Sequence, residues 1–182
     1  LQAEKEVSSS ERTRDVKTPA GQEKSTTKLL KDRMEDPDAA FGERCGWGDW
    51  DTIHRGARPG RLNFTIAPTG VGKTSFMLNL ASRVCDRSGS DTEPVQGLYS
   101  NCEMMMDDVL TRLAAIRLGG AVCLDDLESG TVSSSHVKTA AGKAAASGLH
   151  VTDPSPKTIG AVCSLLARYA IRHNIKWACV DH

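Results

Sequence analysis

Ala67-Pro68-Thr69-Gly70-Val71-Gly72-Lys73-Thr74-Ser75 decides how this chain is read. The run directly before it, Leu62-Asn63-Phe64-Thr65-Ile66, is apolar and of strand length. Directly after it, Phe76, Leu80 and Val84 recur at the four-residue spacing of a helix, predicted from Ser75 to Val84. Strand, glycine-rich turn, Lys-Thr and helix, in that order, is the setting of a phosphate-binding loop of the Walker A kind. Glycines let the backbone approach phosphate oxygens, and the loop N–H groups point inward at them. The helix N-terminus adds a favourable field for an anion. Ala67, Pro68, Thr69, Gly70, Val71, Gly72, Lys73, Thr74 and Ser75 are therefore the predicted nucleotide-binding residues. Lys73 is expected to face the β- and γ-phosphates of ATP, and Thr74 to offer its hydroxyl to Mg²⁺. Ala67 stands where the strict pattern has glycine, so it must keep a negative φ.

Composition narrows the rest. The 182 residues suffice for one domain with a real core, and 23 basic residues balance 23 acidic ones. A formal net charge of zero means that no global field draws the chain to nucleic acid, so any such contact has to be local. No apolar run approaches the ~20 residues of a membrane span. The six cysteines, Cys45, Cys85, Cys102, Cys123, Cys163 and Cys179, form no Cys-x-x-Cys pair and mostly sit in apolar patterns. They read as buried, reduced thiols of a cytoplasmic protein rather than a zinc site.

Along the chain, residues 1–25 are rich in Ser, Glu, Lys and Thr and are expected to be disordered. Residues 26–44 read as a linker with a short helix whose Leu30 and Met34 make a small sticky face. From about residue 45 the composition becomes that of a folded domain, reaching residue 182. Pro59-Gly60 turns a basic loop into the first strand. Further strands are predicted at Val95–Cys102, Leu149–Thr152 and Ile175–Val180. A helix follows Glu103, with Asp107 and Asp108 in its first turn, Arg117 in its last, and Val109, Leu113 and Ile116 as its core stripe. Ser133 is positioned to cap an Ala-rich helix. Ser155-Pro156 opens another, with Ile159, Val162, Cys163, Leu166 and Tyr169 as its apolar face. Strands alternating with helices argue for a mostly parallel α/β sheet covered by helices.

Two carboxylates complete the chemistry. Asp181 follows Trp177-Ala178-Cys179-Val180, the Walker B pattern of a buried strand delivering an acid beside the P-loop, where it can hold Mg²⁺ through water. Glu103 ends the strand after the P-loop helix. The carboxyl ends of parallel strands line the ligand crevice, so Glu103 is placed to polarise an attacking water. Lys73, Glu103 and Asp181 are thus the predicted catalytic residues, and Thr74 and Asp181 the predicted metal-holding ones.

This set resembles the RecA-like ATPase core of DnaB-type hexameric replicative helicases. Walker A with Ala first, a strand ending in Glu103-Met104 and a Walker B strand ending in Asp181 carry the resemblance. Gly46-Trp47-x-x-Trp50-Asp51 is similar to that family's T-G-aromatic-x-x-Leu-Asp, and Gly56 to Leu62 to its G-L-x-P-G-x-L. Leu149 to Pro154 followed by Thr158-Ile159 is similar to its Leu-x-Ile-x-Asp-x-Pro stretch, and Asp126 to Gly130 to its short connector. Asn101-Cys102 replaces the usual Ser-Leu, and His182 the usual Tyr. The resemblance covers residues 45–182 and implies a RecA-like P-loop NTPase core. It further implies a motor that hydrolyses ATP with Mg²⁺ and unwinds duplex DNA during replication as a homo-oligomeric, hexameric ring. In that family the DNA-binding loops and the arginine finger follow Walker B. The core therefore reads as truncated, with single-stranded DNA gripped by segments outside this chain. The opening at Leu1 and the close at His182 read the same way. Competing expectations are a RecA- or RadA-like recombinase, a KaiC-like regulatory ATPase, or a nucleotide-binding fragment without turnover.

Overall fold

A computed structural model of the chain describes residues 19–37, 41–58, 60–86, 93–153 and 158–182. The chain divides into two compact units, Leu1–Ala40 and Phe41–His182. The first contains helix α1 (Pro19–Glu35), in which Leu29, Leu30 and Met34 are all exposed. This helix starts earlier than its sequence suggests, so residues 19–25 are helical where disorder is expected. Proline suits the first helical turn, where its missing N–H would have no partner in any case. Residues 1–18 lie outside the described part.

The second unit runs α2 (Gly48–His54), α3 (Lys73–Cys85), β1 (Gly97–Asn101), α4 (Met106–Arg117), α5 (Leu124–Glu128), α6 (Ser134–Ala145), β2 (Leu149–Thr152), α7 (Ile159–His173) and β3 (Trp177–Asp181). The three strands are parallel in the order β2-β1-β3. Gly97 pairs with Leu149 on one side and Trp177 on the other, which brings Asn101 level with Asp181. All five residues of β1 are buried, as a central strand with helical crossovers requires. Leu78 and Ala81 of α3, Val109 and Leu113 of α4, Tyr99 and Cys179 form its main core. Gly97 is obligatory there: a Cβ would stand 2.5 Å from Trp177 Nε1 and 2.7 Å from Cys85 Sγ.

The expected strand Leu62–Ile66 does not form. The segment is irregular, with Leu62, Phe64 and Ile66 exposed at 78%, 77% and 90%. It lies across a cleft from Ala178 and Cys179 of β3 without ladder bonds. Apolar alternation makes a segment ready for a strand, but hydrogen bonding to a neighbouring edge makes it one.

Other expectations shift by smaller amounts. Ser133 caps α6, its Oγ accepting from His136 N–H at 3.3 Å. The cap of α7 is Thr158, accepting from Ala161 N–H at 3.4 Å, whereas Ser155 and Pro156 lie outside the described residues. On α7, Leu165 is the buried residue, while Ile159 and Cys163 of the predicted stripe are exposed. Three cysteines are buried (Cys45, Cys85, Cys179), but Cys123 and Cys163 are exposed and Cys102 is intermediate. Single-helix periodicity says which residues share a face, and the rotation against the sheet decides which of them meet it.

Two polar constructions hold the unit together. Asp51 is buried and receives the N–H groups of Cys45 at 3.0 Å and Gly46 at 2.8 Å, which ties down the loop before α2. Trp47 at the end of that loop and Trp50 in α2 face Phe76 of α3, with ring centroids 5.6 and 5.5 Å away. At the other end of α3, the Asp86 carboxylate accepts from Ser82 Oγ at 2.5 Å, from Arg117 Nε at 2.9 Å and Nη2 at 3.4 Å, and from Ser147 Oγ. The C-terminal ends of α3 and α4 and the turn after α6 thus meet on one carboxylate.

Candidate functional site

The predicted nucleotide loop is shaped by two glycines. Gly70 (φ 83°) and Gly72 (φ 94°) are left-handed, a conformation that costs other residues energy. A Cβ on either would meet nothing within 4 Å, so the space over the loop is open. Helix α3 begins at Lys73 with no side-chain cap, leaving its first N–H groups available. Lys73 Nζ reaches back across the loop and donates to the Ala67 carbonyl at 3.2 Å. Pro68, Thr69, Gly70, Val71, Gly72 and Ser75 are exposed, and Ala67, Lys73 and Thr74 half-buried.

Lys73, Asp181 and His182 line one cleft of about 500 Å³. Asp181 ends β3, and the parallel register brings it beside the end of β1. There Cys102 N–H donates to the Asp181 carbonyl at 3.0 Å. Glu103 follows β1 outside the cleft lining, 65% exposed, with Oε1 3.8 Å from His182 Nδ1. The structure therefore brings Lys73 and Asp181 together and sets Glu103 at the rim, connected through His182.

Two residues of this site escaped the sequence reading as participants. Tyr99, fully buried in β1, donates its hydroxyl to Asp181 Oδ2 at 2.5 Å. Burial and the neighbouring carboxylate push the phenol well above the ordinary tyrosine range, so it stays a donor. Asn101, also buried, accepts the N–H groups of Glu103 at 3.3 Å and Met104 at 3.0 Å and donates to the Met104 carbonyl at 2.5 Å. This closed turn fixes the backbone that carries Glu103. A tyrosine inside an all-buried strand signals in advance that its hydroxyl needs a partner, but not which one.

Lys73 and Asp181 share the cleft, while the Thr74 hydroxyl in the first turn of α3 and the left-handed Gly70 and Gly72 lie outside its lining. As a donor set they fit a magnesium-bound triphosphate in their chemistry.

A parallel α/β sheet carrying a P-loop at the head of one helix and an acid at the end of a strand defines a P-loop NTPase of RecA-like fold. The family model for the DnaB-like helicase C-terminal domain matches residues 42–182, and the chain belongs to that family. Among solved structures it is similar to an ATPase domain, with a TM-score of 0.69 and 15% identity. The likeness covers 88% of this chain and 56% of that one, so the chain spans just over half the length of that structure. No curated protein sequence matches it. Among the described residues no helix is long and apolar enough to cross a membrane.

Proposed function

We propose that this chain is the ATP-binding and hydrolysing motor core of a replicative DNA helicase that works as a hexameric ring on DNA in the cytoplasm. The observation that carries this reading is the single cleft shared by Lys73 of the P-loop and Asp181 of β3, in a chain of the DnaB-like family. In this reading the N–H groups of residues 70–74 and the N-terminus of α3 receive the β- and γ-phosphates. Lys73 exchanges its bond to the Ala67 carbonyl for phosphate oxygens. Thr74 and Asp181 would hold Mg²⁺, which neutralises charge on the phosphates when bound. Glu103, held at the rim, would orient water and take up its proton as it attacks the γ-phosphorus, while the bond from that phosphorus to the bridging oxygen breaks and ADP leaves with phosphate. Single-stranded DNA and the neighbouring subunits are the proposed partners. The zero net charge of the chain supplies no global attraction to DNA, so any DNA contact made by this chain has to be local.

The test is calorimetric titration of MgATP into the full chain and into Lys73→Ala, paired with DNA-stimulated ATPase and unwinding of a forked duplex by the assembled oligomer. Saturable MgATP binding that Lys73→Ala weakens at least tenfold, with DNA-stimulated turnover, is the expected result. Equal affinities would remove the P-loop assignment, and binding without DNA-stimulated turnover would remove the motor.

A further inference from the structure

We infer that Tyr99 is a positioning residue for the metal-holding acid: its hydroxyl fixes the Asp181 carboxylate so that one oxygen is kept for the cleft. This rests on the reading of the cleft as a magnesium-nucleotide site.

The geometry is specific. Tyr99 and Asp181 stand 82 positions apart in sequence and meet only because β1 and β3 pair in parallel register. Tyr99 lies opposite Cys179, and Asp181 is two residues further along, so both side chains share a face of the sheet. The Tyr99 ring belongs to the core with Leu78, Val109 and Leu113, which leaves it no freedom to swing. Its hydroxyl is thus a fixed point, and the bond to Asp181 Oδ2 is 2.5 Å. Asp181 itself is only half-buried at the cleft. An acid on a cleft wall would otherwise sample several rotamers. With Oδ2 tied to a rigid donor, the other oxygen is the one available to a metal-bound water. Partners behind a metal-holding group commonly change metal affinity by about 10–100-fold when removed. Nearby, Arg112 of α4 carries a buried Nε without a hydrogen-bond partner among the described residues, and its charge acts on the Tyr99 hydroxyl.

Tyr99→Phe removes one oxygen and leaves the ring in the core. The experiment follows a fluorescent ADP analogue binding to the full chain, first in EDTA and then along a MgCl₂ titration, for the parent, Tyr99→Phe, Asp181→Asn and the double variant. Expected for Tyr99→Phe is metal-free nucleotide affinity within twofold of the parent, with the Mg²⁺ half-saturation point raised about tenfold. Asp181→Asn raises it at least as much, and the double variant is no worse than Asp181→Asn alone, because the two residues act as one unit. A packing role for Tyr99 would lower the unfolding midpoint and leave the Mg²⁺ titration where it was. If Asp181→Asn shifts the titration and Tyr99→Phe does not, the positioning role is wrong while the nucleotide reading stands. If the parent shows no Mg²⁺-dependent nucleotide binding, or Asp181→Asn leaves it unchanged, the site reading fails and this inference with it.

Discussion

Replacing Asp86 by alanine isolates one buried polar contribution to this fold. The Asp86 and Arg117 side chains are only 15% and 8% exposed, and their ion pair is held through Nε at 2.9 Å with a second bond from Nη2 at 3.4 Å. Ser82 and Ser147 donate to the same carboxylate, so Asp86→Ala strands three donors together, one of them charged. Removing one partner of a buried pair costs about 3–5 kcal/mol, because the other charge stays out of water uncompensated. For a chain of this size about 2–4 °C of melting temperature accompanies each kcal/mol, so the midpoint should fall by roughly 6–20 °C. Far-UV circular dichroism during heating and urea titration measures it. The double variant Asp86→Ala/Arg117→Met removes the stranded charge and should recover part of the loss. A loss below about 1 kcal/mol, the range of exposed surface pairs, would refute the claim that this cluster behaves as buried. So would a double variant less stable than the single one.

Lys73→Ala should weaken MgATP binding by about 1.5–3 kcal/mol, the worth of a hydrogen bond to a charged group, read by calorimetry. In the assembled oligomer, Glu103→Gln should lower kcat by about 10²-fold or more and leave nucleotide affinity near normal, because a general base acts chiefly in the transition state. Steady-state ATPase assays beside binding titrations separate the two effects. Burial pushes the Cys85 and Cys179 thiols up to about 12, so near neutral pH a thiol reagent should modify exposed Cys123 and Cys163 first, with mass spectrometry locating the label. The same two thiols favour the fold below the ordinary thiol pKa of 9.0 and lose that contribution as pH rises towards 12, so alkaline melts should show a falling midpoint.

Much of the site is legible in the residues themselves. The P-loop turn needs two glycines in left-handed conformation and a helix starting at Lys73, and both requirements are local, so the spacing of Gly70, Gly72 and Lys73 announces them. The same holds for the buried strand ahead of Glu103, the strand ending in Asp181, the Ser133 cap, and the acidic start and basic end of α4. Each is decided within a few residues by backbone freedom, capping or periodicity.

What the sequence could not decide are relations between distant segments. Leu62-Asn63-Phe64-Thr65-Ile66 has the pattern of a strand, yet without ladder bonds to β3 it is irregular, because a strand is a pairing and not a property of five residues. Half the cysteines lie outside the core, since helix rotation and loop path, not local apolarity, set what is covered. The contact of Tyr99 with Asp181 exists only through the parallel register of β1 and β3. Local chemistry thus named Lys73, Glu103 and Asp181 as candidates. Tertiary pairing alone put Lys73 and Asp181 on one cleft, left Glu103 at its rim and set a buried phenol behind the acid, because burial and hydrogen bonding across the sheet depend on which segments become neighbours.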